Sequence, residues 1–192
     1  MKAALMNPNA SAASTQHIPI GAPDLVLATQ EVLEQGLSLL ASSAEKYSLV
    51  APAPFEASIG QHFRHVLEHF HCLLQGAVTG EVNYDSRARN PRIETEVPFA
   101  TEATREVIRR FQTWTDSTIA QRCSTVSSLA YHSDPPSLIS SNLGRELAYC
   151  IGHAIHHFAI IRLLCSHVAV QVPPSFGYAP STLKYQSSLA AD

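Results

Sequence analysis

The sequence predicts an all-α fold, a four-helix bundle, on three observations. Four segments repeat apolar residues at helical spacing. The stretches between them are rich in Pro, Gly and polar residues, and no long alternating run argues for a large sheet. With 45% hydrophobic and 15% charged residues, the 192-residue chain can bury one core and still carry tails.

Residues 1–20 are rich in Ala, Ser and Asn without periodicity, so a flexible tail is expected there. Ala22-Pro23-Asp24 suits a first helical turn. Leu25, Leu27, Val32, Leu33, Leu37 and Leu40 then recur at helical spacing, giving a first helix to about Lys46 that Ala51-Pro52-Ala53-Pro54 breaks. Ser58 followed by Gln61 has the capping-box spacing and opens the second helix. Ile59, Phe63, Val66, Phe70 and Leu73 form its apolar stripe, and Gly76 and Gly80 end it. After a polar connection over 82–91, a third helix follows Thr101, with Ala103, Val107, Ile108, Phe111 and Trp114 inward. Residues 123–139 alternate weakly and contain Pro135-Pro136, as in a short hairpin or an irregular crossover. The fourth helix opens at Ser140-Ser141-Asn142 and runs through Leu147, Ile151, Ile155, Ile160 and Leu164. The segment from Pro173 to Pro180 is expected to be non-helical and, with Phe176 and Tyr178, to pack on the bundle. The chain thus divides into a non-helical tail over 1–20, a bundle over 21–168 and a non-helical C-terminal tail over 169–192 packed on the bundle.

The formal net charge of −3 provides no basic field for nucleic acid or anionic lipid. Mean hydropathy is near zero, at +0.01, and contiguous apolar runs are short, so no transmembrane helix is expected. The start reaches Asn7-Pro8-Asn9 before an apolar region develops, which argues against a signal peptide. A cytoplasmic protein is the expectation. Cys72, Cys123, Cys150 and Cys165 form no C-x-x-C pair and are read as free, mostly buried thiols.

Of ten histidines, seven fall in residues 62–71 and 153–157. His153 and His157 are one helical turn apart on one face, so two imidazoles there can share a metal. His153 with His156 is a second such pair. Ile160 and Leu164 continue the row of His153 and His157, which favours that pair. The second helix offers His62, His65, His69 and His71. His65, beside Phe63 and Val66, is the one expected to point into the bundle, and bundle cores are where facing helices converge on metals. A hydrogen-bonded or solvated role is expected for His62, His69, His71 and His156.

Ser58-Ile-Gly-Gln-His-Phe-Arg-His65, together with His153-Ala-Ile-His-His157, resembles the DinB-like (DinB/YfiT) superfamily over roughly residues 22–165. The resemblance implies a four-helix bundle of unusual helix order with a three-histidine metal site. By position, His65 takes the place of the single histidine and His153 and His157 the pair. The implied cofactor is a divalent metal such as zinc or nickel. The implied activities are thiol-dependent transfer, using a low-molecular-weight thiol, and metal-dependent hydrolysis of a small-molecule substrate. A metal on three neutral imidazoles can lower the pKa of bound water or bind a thiolate. The alternative is a non-catalytic, stress-linked bundle in which metal is structural or absent. A homodimer is compatible with either.

Glu146 and Tyr149 are the catalytic candidates. Glu146, seven residues before His153, could orient a water or substrate amine, or complement the helix dipole. Tyr149, four before His153, could place a hydroxyl over the metal. Cys150 is expected to be buried and structural. Glu68, three after His65, could accept from an imidazole N–H. Arg87, Arg89 and Arg92 form a basic loop cluster that could clamp a carboxylate or phosphate. The expected pocket lies between the second and fourth helices, with the loop around Arg87 above it.

Overall fold

A computed structural model of the chain describes residues 20–132 and 136–190. The expected N-terminal tail, Ile20 excepted, lies outside the described residues, as do Pro135 and residues 191–192. Among the described residues the elements are α1 (Ala22–Ser43), α2 (Ile59–Thr79), β1 (Glu81–Asn83), α3 (Pro91–Thr95), α4 (Val97–Phe111), α5 (Asp116–Ile119), β2 (Arg122–Ser127), β3 (Ser137–Asn142), α6 (Leu143–His167) and α7 (Pro180–Leu189).

Local chemistry fixes the helix starts. Ser58 Oγ accepts from Gln61 N at 3.0 Å, and Gln61 Oε1 accepts from Ser58 N at 2.9 Å, the reciprocal capping box that the sequence predicts. Asn142 caps α6 by accepting from Arg145 N at 2.9 Å. Gly80 ends α2 with φ 81°, a left-handed cap that donates to Gly76 O.

The long helices α1, α2, α4 and α6 form the bundle. Packing runs α1–α4, α4–α2, α2–α6 and α6–α1, so α1 and α2, consecutive in sequence, lie on a diagonal. Their side chains meet in the centre, where a Cβ on Gly36 would stand 2.8 Å from the Phe63 ring. Phe63 and Phe158 stack at 6.5 Å, and Leu33, Leu39, Leu67, Leu73, Leu147 and Ile161 fill the surrounding core. Each such side chain contributes roughly 1.5–3 kcal/mol by leaving water. The second and last bundle helices are therefore direct neighbours, as the metal reading requires.

The short sheet closes one end of the bundle. β1 pairs parallel with β2, and β2 pairs antiparallel with β3 from Arg122↔Asn142 to Ser127↔Ser137. The hairpin expected over 123–139 is present, whereas β1 was not expected. Gly76 makes room for it, since a Cβ there would lie 2.4 Å from Val82 Cγ2.

Several expectations are corrected. The third bundle helix begins at Val97, not after Thr101, and short α3 precedes it. Ser140 and Ser141 belong to β3, and α6 starts at Leu143. Leu27 is exposed. The buried row of α6 runs through Leu147, Cys150, Ala154, Phe158, Ile161 and Cys165, while Ile151, Ile155 and Ile160 are half-buried on its flanks. The C-terminal tail is helical over α7, which buries no side chain. The part before it does pack on the bundle: Phe176 stacks on Phe158 at 5.1 Å, and Tyr178 lies under the Arg162 guanidinium at 4.2 Å.

α6 alone among the described helices is long and apolar enough to cross a membrane by length and composition. The contiguous runs used in the sequence reading miss this because polar residues interrupt them. It packs against α1 and α2, and about a third of its apolar stretch is buried.

Candidate metal centre

His65 projects from the middle of α2, and His153 and His157 from the middle of α6. All three are half-buried. Each offers one ring nitrogen such that the three nitrogens lie within 4.8 Å of one another, an arrangement that could hold a metal ion. His65 Nε2 stands 3.0 Å from His153 Nε2. Two nitrogens each about 2.1 Å from a common ion at the tetrahedral angle would be about 3.4 Å apart, so a few tenths of an ångström of movement seats one. His153 and His157 share this group with His65, whereas His156 is exposed.

Burial and neighbouring positive groups keep the three imidazoles unprotonated. Burial first, then the neighbouring His69, His157, Arg87 and His153, holds His65 down at about 3. His153 is lowered to about 4 by burial, then His69, His156 and Arg87. His157 is lowered to about 4 by burial, then His153, His62 and His156. All three imidazoles are thus neutral at pH 7 and offer lone pairs, the form a metal binds. The donor set fits a borderline divalent ion.

A second layer of rings surrounds them. His62 Nδ1 lies 3.0 Å from His157 Nδ1, which leaves Nε2 of His157 for the shared point. His69 is 3% exposed. It donates from Nδ1 to His65 O at 2.8 Å, and its ring centre is 4.0 Å from that of His153. Burial lowers His69 to about 4, partly offset by that hydrogen bond. Hydrogen-bonded and exposed roles are thus found for His69 and His156, as expected. His71 faces the other way, where burial and then Arg110 lower its pKa.

Tyr149 is 42% exposed, and its ring stacks 5.6 Å from that of His153, at the rim of the cluster. Glu146 sits deeper, accepting from Tyr84 OH at 2.9 Å and from Ser141 Oγ, so both carboxylate oxygens are engaged. Cys150 is buried beside Tyr84 OH at 3.6 Å and lies outside the ligand set, and burial pushes its thiol up. Glu68 accepts from Asn90 N at 2.7 Å and so anchors the loop rather than an imidazole. The three arginines do not form one cluster. Arg92 pairs with Glu96 at 2.8 Å and covers Phe99, and Arg89 is exposed. Arg87 folds back to donate to Tyr84 O, and its charge lowers His65, His69 and His153.

Tyr84 is the residue that sequence reasoning missed. It stacks on His69 at 5.2 Å and bonds Glu146, tying the loop after β1 to both helices of the centre. His62 and His69 carried a signal, at i−3 and i+4 from His65 on the same face. Two clefts, of about 830 Å³ against α1 and α5 and about 570 Å³ beside β2 and β3, lie away from the histidines and are lined by residues such as Leu25, Ile119 and Arg122. The centre opens to solvent through its own half-buried rings.

No family model matches the chain. It is 32% identical over 104 residues to FK506-binding protein 5 of Rhizopus delemar, a match over 54% of this chain. The chain spans only 27% of that relative's length. Among solved structures, a DinB-like protein from Bacillus subtilis superposes with a TM-score of 0.58 at 15% identity, over 78% of this chain and 95% of that one. A DinB-like protein from Bacillus cereus gives 0.53 at 15% identity, over 80% and 96%. The diagonal helix order, the histidines facing each other across α2 and α6, and these superpositions together establish that the chain has the DinB-like fold.

Proposed function

We propose that the protein is a divalent-metal-dependent enzyme acting on a small molecule, with thiol transfer as its reaction. The observation that carries this is the meeting of His65, His153 and His157 within 4.8 Å on half-buried, solvent-facing sides of two helices. An ion held there by three imidazoles would supply a Lewis acid with a position left for an exogenous ligand. His62 holds the His157 ring through its Nδ1, and His69, fixed on the His65 carbonyl, packs against the His153 ring. Tyr149 lines the approach. Four free, buried cysteines suit a reducing compartment, in keeping with a cytoplasmic protein.

Transfer is favoured over hydrolysis by the carboxylates. A hydrolase gains from a base that takes a proton from attacking water. Glu68 and Glu146 are both committed to other donors. A thiol loses its proton far more readily than water and has less need of such a base.

The test is an assay of metal-loaded protein. A panel of low-molecular-weight thiols with a generic electrophile should give turnover that chelation abolishes and metal restores. Turnover of activated esters or amides without thiol would assign hydrolysis instead. A metal-loaded protein inert in both assays, with its ion saturated by protein ligands, would support a structural metal.

A further inference from the structure

We infer that two copies of this chain pair edge to edge through β3, antiparallel about a two-fold axis at Ile139, independently of any metal. β3 is an edge strand, since the sheet order is β1-β2-β3. Two bonds set the direction of its backbone groups. Leu143 N donates to Gln121 O at 3.0 Å, just beyond the Arg122↔Asn142 pair, and Ser124 N donates away from β3, to Gly80 O, at 3.0 Å. Bonded positions alternate along an antiparallel pair, so Ser137, Ile139 and Ser141 turn their N–H and C=O groups toward β2. Leu138 and Ser140 turn theirs outward. Both residues are exposed, and their outward groups have no partner among the described residues.

These outward groups complement themselves. A two-fold axis at Ile139 sets Leu138 opposite Ser140 of the second copy, and Ser140 opposite its Leu138. Each pair exchanges both N–H···O=C bonds, which satisfies every outward group of the two residues in both copies. The two Ile139 side chains face each other at the closer, unbonded position between the pairs. Pro136, with no N–H, ends the ladder on one side, and the start of α6 ends it on the other. The edge also lacks what ordinarily blocks such pairing. Ser137-Leu-Ile-Ser-Ser-Asn142 holds no charge and no proline, so self-pairing opposes no like charges. Leu138 and Ile139 are 66% and 44% exposed. The opposite edge of the same sheet is blocked. β1 has only three residues and carries Glu81, whose N–H and C=O meet Thr79 Oγ1 at 3.4 and 3.1 Å. Association through β3 therefore closes at two copies instead of growing into a fibre. One strand pair is a small contact, so the dimer is weak, with a dissociation constant in the micromolar range.

The experiment is sedimentation velocity on the full-length protein from about 1 µM to 1 mM, with amide hydrogen exchange followed by NMR at both ends of that range. A monomer–dimer equilibrium is expected. The Leu138 and Ser140 amides should exchange fast when dilute and slowly when concentrated, and the Ile139 amide slowly at both. Ser140→Pro removes an outward donor and leaves the bonds to β2 in place, so it should weaken dimerisation at least about tenfold without lowering the melting temperature. If that variant fails to fold, Leu138→Lys, at an exposed site, should weaken dimerisation in its place. A protein that stays monomeric throughout overturns the inference. A dimer whose Leu138 and Ser140 amides stay fast, or one undiminished in either folded variant, also overturns it, because the copies would then meet elsewhere. A monomer whose edge amides are protected only by an added peptide of alternating Thr and Val assigns the edge to a foreign strand, and overturns the pairing of copies.

Discussion

His65 Nε2 on α2 and His153 Nε2 on α6 lie 3.0 Å apart, across the contact between these two helices. Two neutral imidazoles so close are held by the packing of their helices. Phe63 and Phe158, each buried and near one of these histidines in sequence, stack at 6.5 Å and lock the helices together beneath the rings. The centre is thus a product of the bundle core, and the predictions below concern both.

The metal-free protein should lose stability in mild acid. His65 is held at about 3, and His153 and His157 at about 4, against an ordinary value of 6.5, with burial the largest cause in each. Between those values the unfolded chain binds more protons than the folded one. The contribution is therefore full above the unfolded value and is lost as pH falls through 6.5 toward 4. Melting temperature should drop from pH 7 to pH 5, and by less in His65→Gln. Identical slopes in the two proteins would contradict a neutral cluster.

Tyr84→Phe should destabilise the fold by about 1–3 kcal/mol, since it removes a donor from the buried Glu146 carboxylate. Urea denaturation measures this. A change under about 0.3 kcal/mol would mean that the Tyr84–Glu146 bond does not tie the loop to α6.

Gly60→Ala should be costly although Ala is the better helix former. A Cβ at Gly60 would stand 1.9 Å from Glu94 O, so α2 and α3 would have to separate. Overpacking of this kind costs about 1–3 kcal/mol. A variant as stable as the parent would show that α3 is free to move.

Phe176→Ala should cost about 3–5 kcal/mol, because its buried ring stacks on Phe158 and joins the C-terminal segment to the core. A loss below about 1 kcal/mol, read by thermal or urea melts, would place that segment outside the cooperative unit.

Much of this is visible in the sequence, for physical reasons. The apolar residues of α2 recur at helical spacing and its cap is a matched Ser58–Gln61 pair, so the helix and its start can be read directly. His65, His153 and His157 are legible because seven of ten histidines crowd into two short segments, 62–71 and 153–157, each on one helix. α6 is apolar over much of its surface, so several rows fit the core equally well. The sequence reading placed Ile160 inside, where the fold buries Phe158 and Ile161. β1 is three residues long, too short for periodicity to reveal. α7 has no apolar stripe and buries nothing. The role of Tyr84 depends on Glu146, 62 residues away, and nothing local announces that pairing.

The central claim is that His65, His153 and His157 bind one divalent ion, and elemental analysis of protein purified without a metal-affinity tag tests it most directly. About one ion per chain is expected in the unaltered protein, essentially none in His153→Ala, and progressive loss as pH falls through the histidine range. No stoichiometric metal in the unaltered protein, or an unchanged content in His153→Ala with its fold intact, would contradict the account.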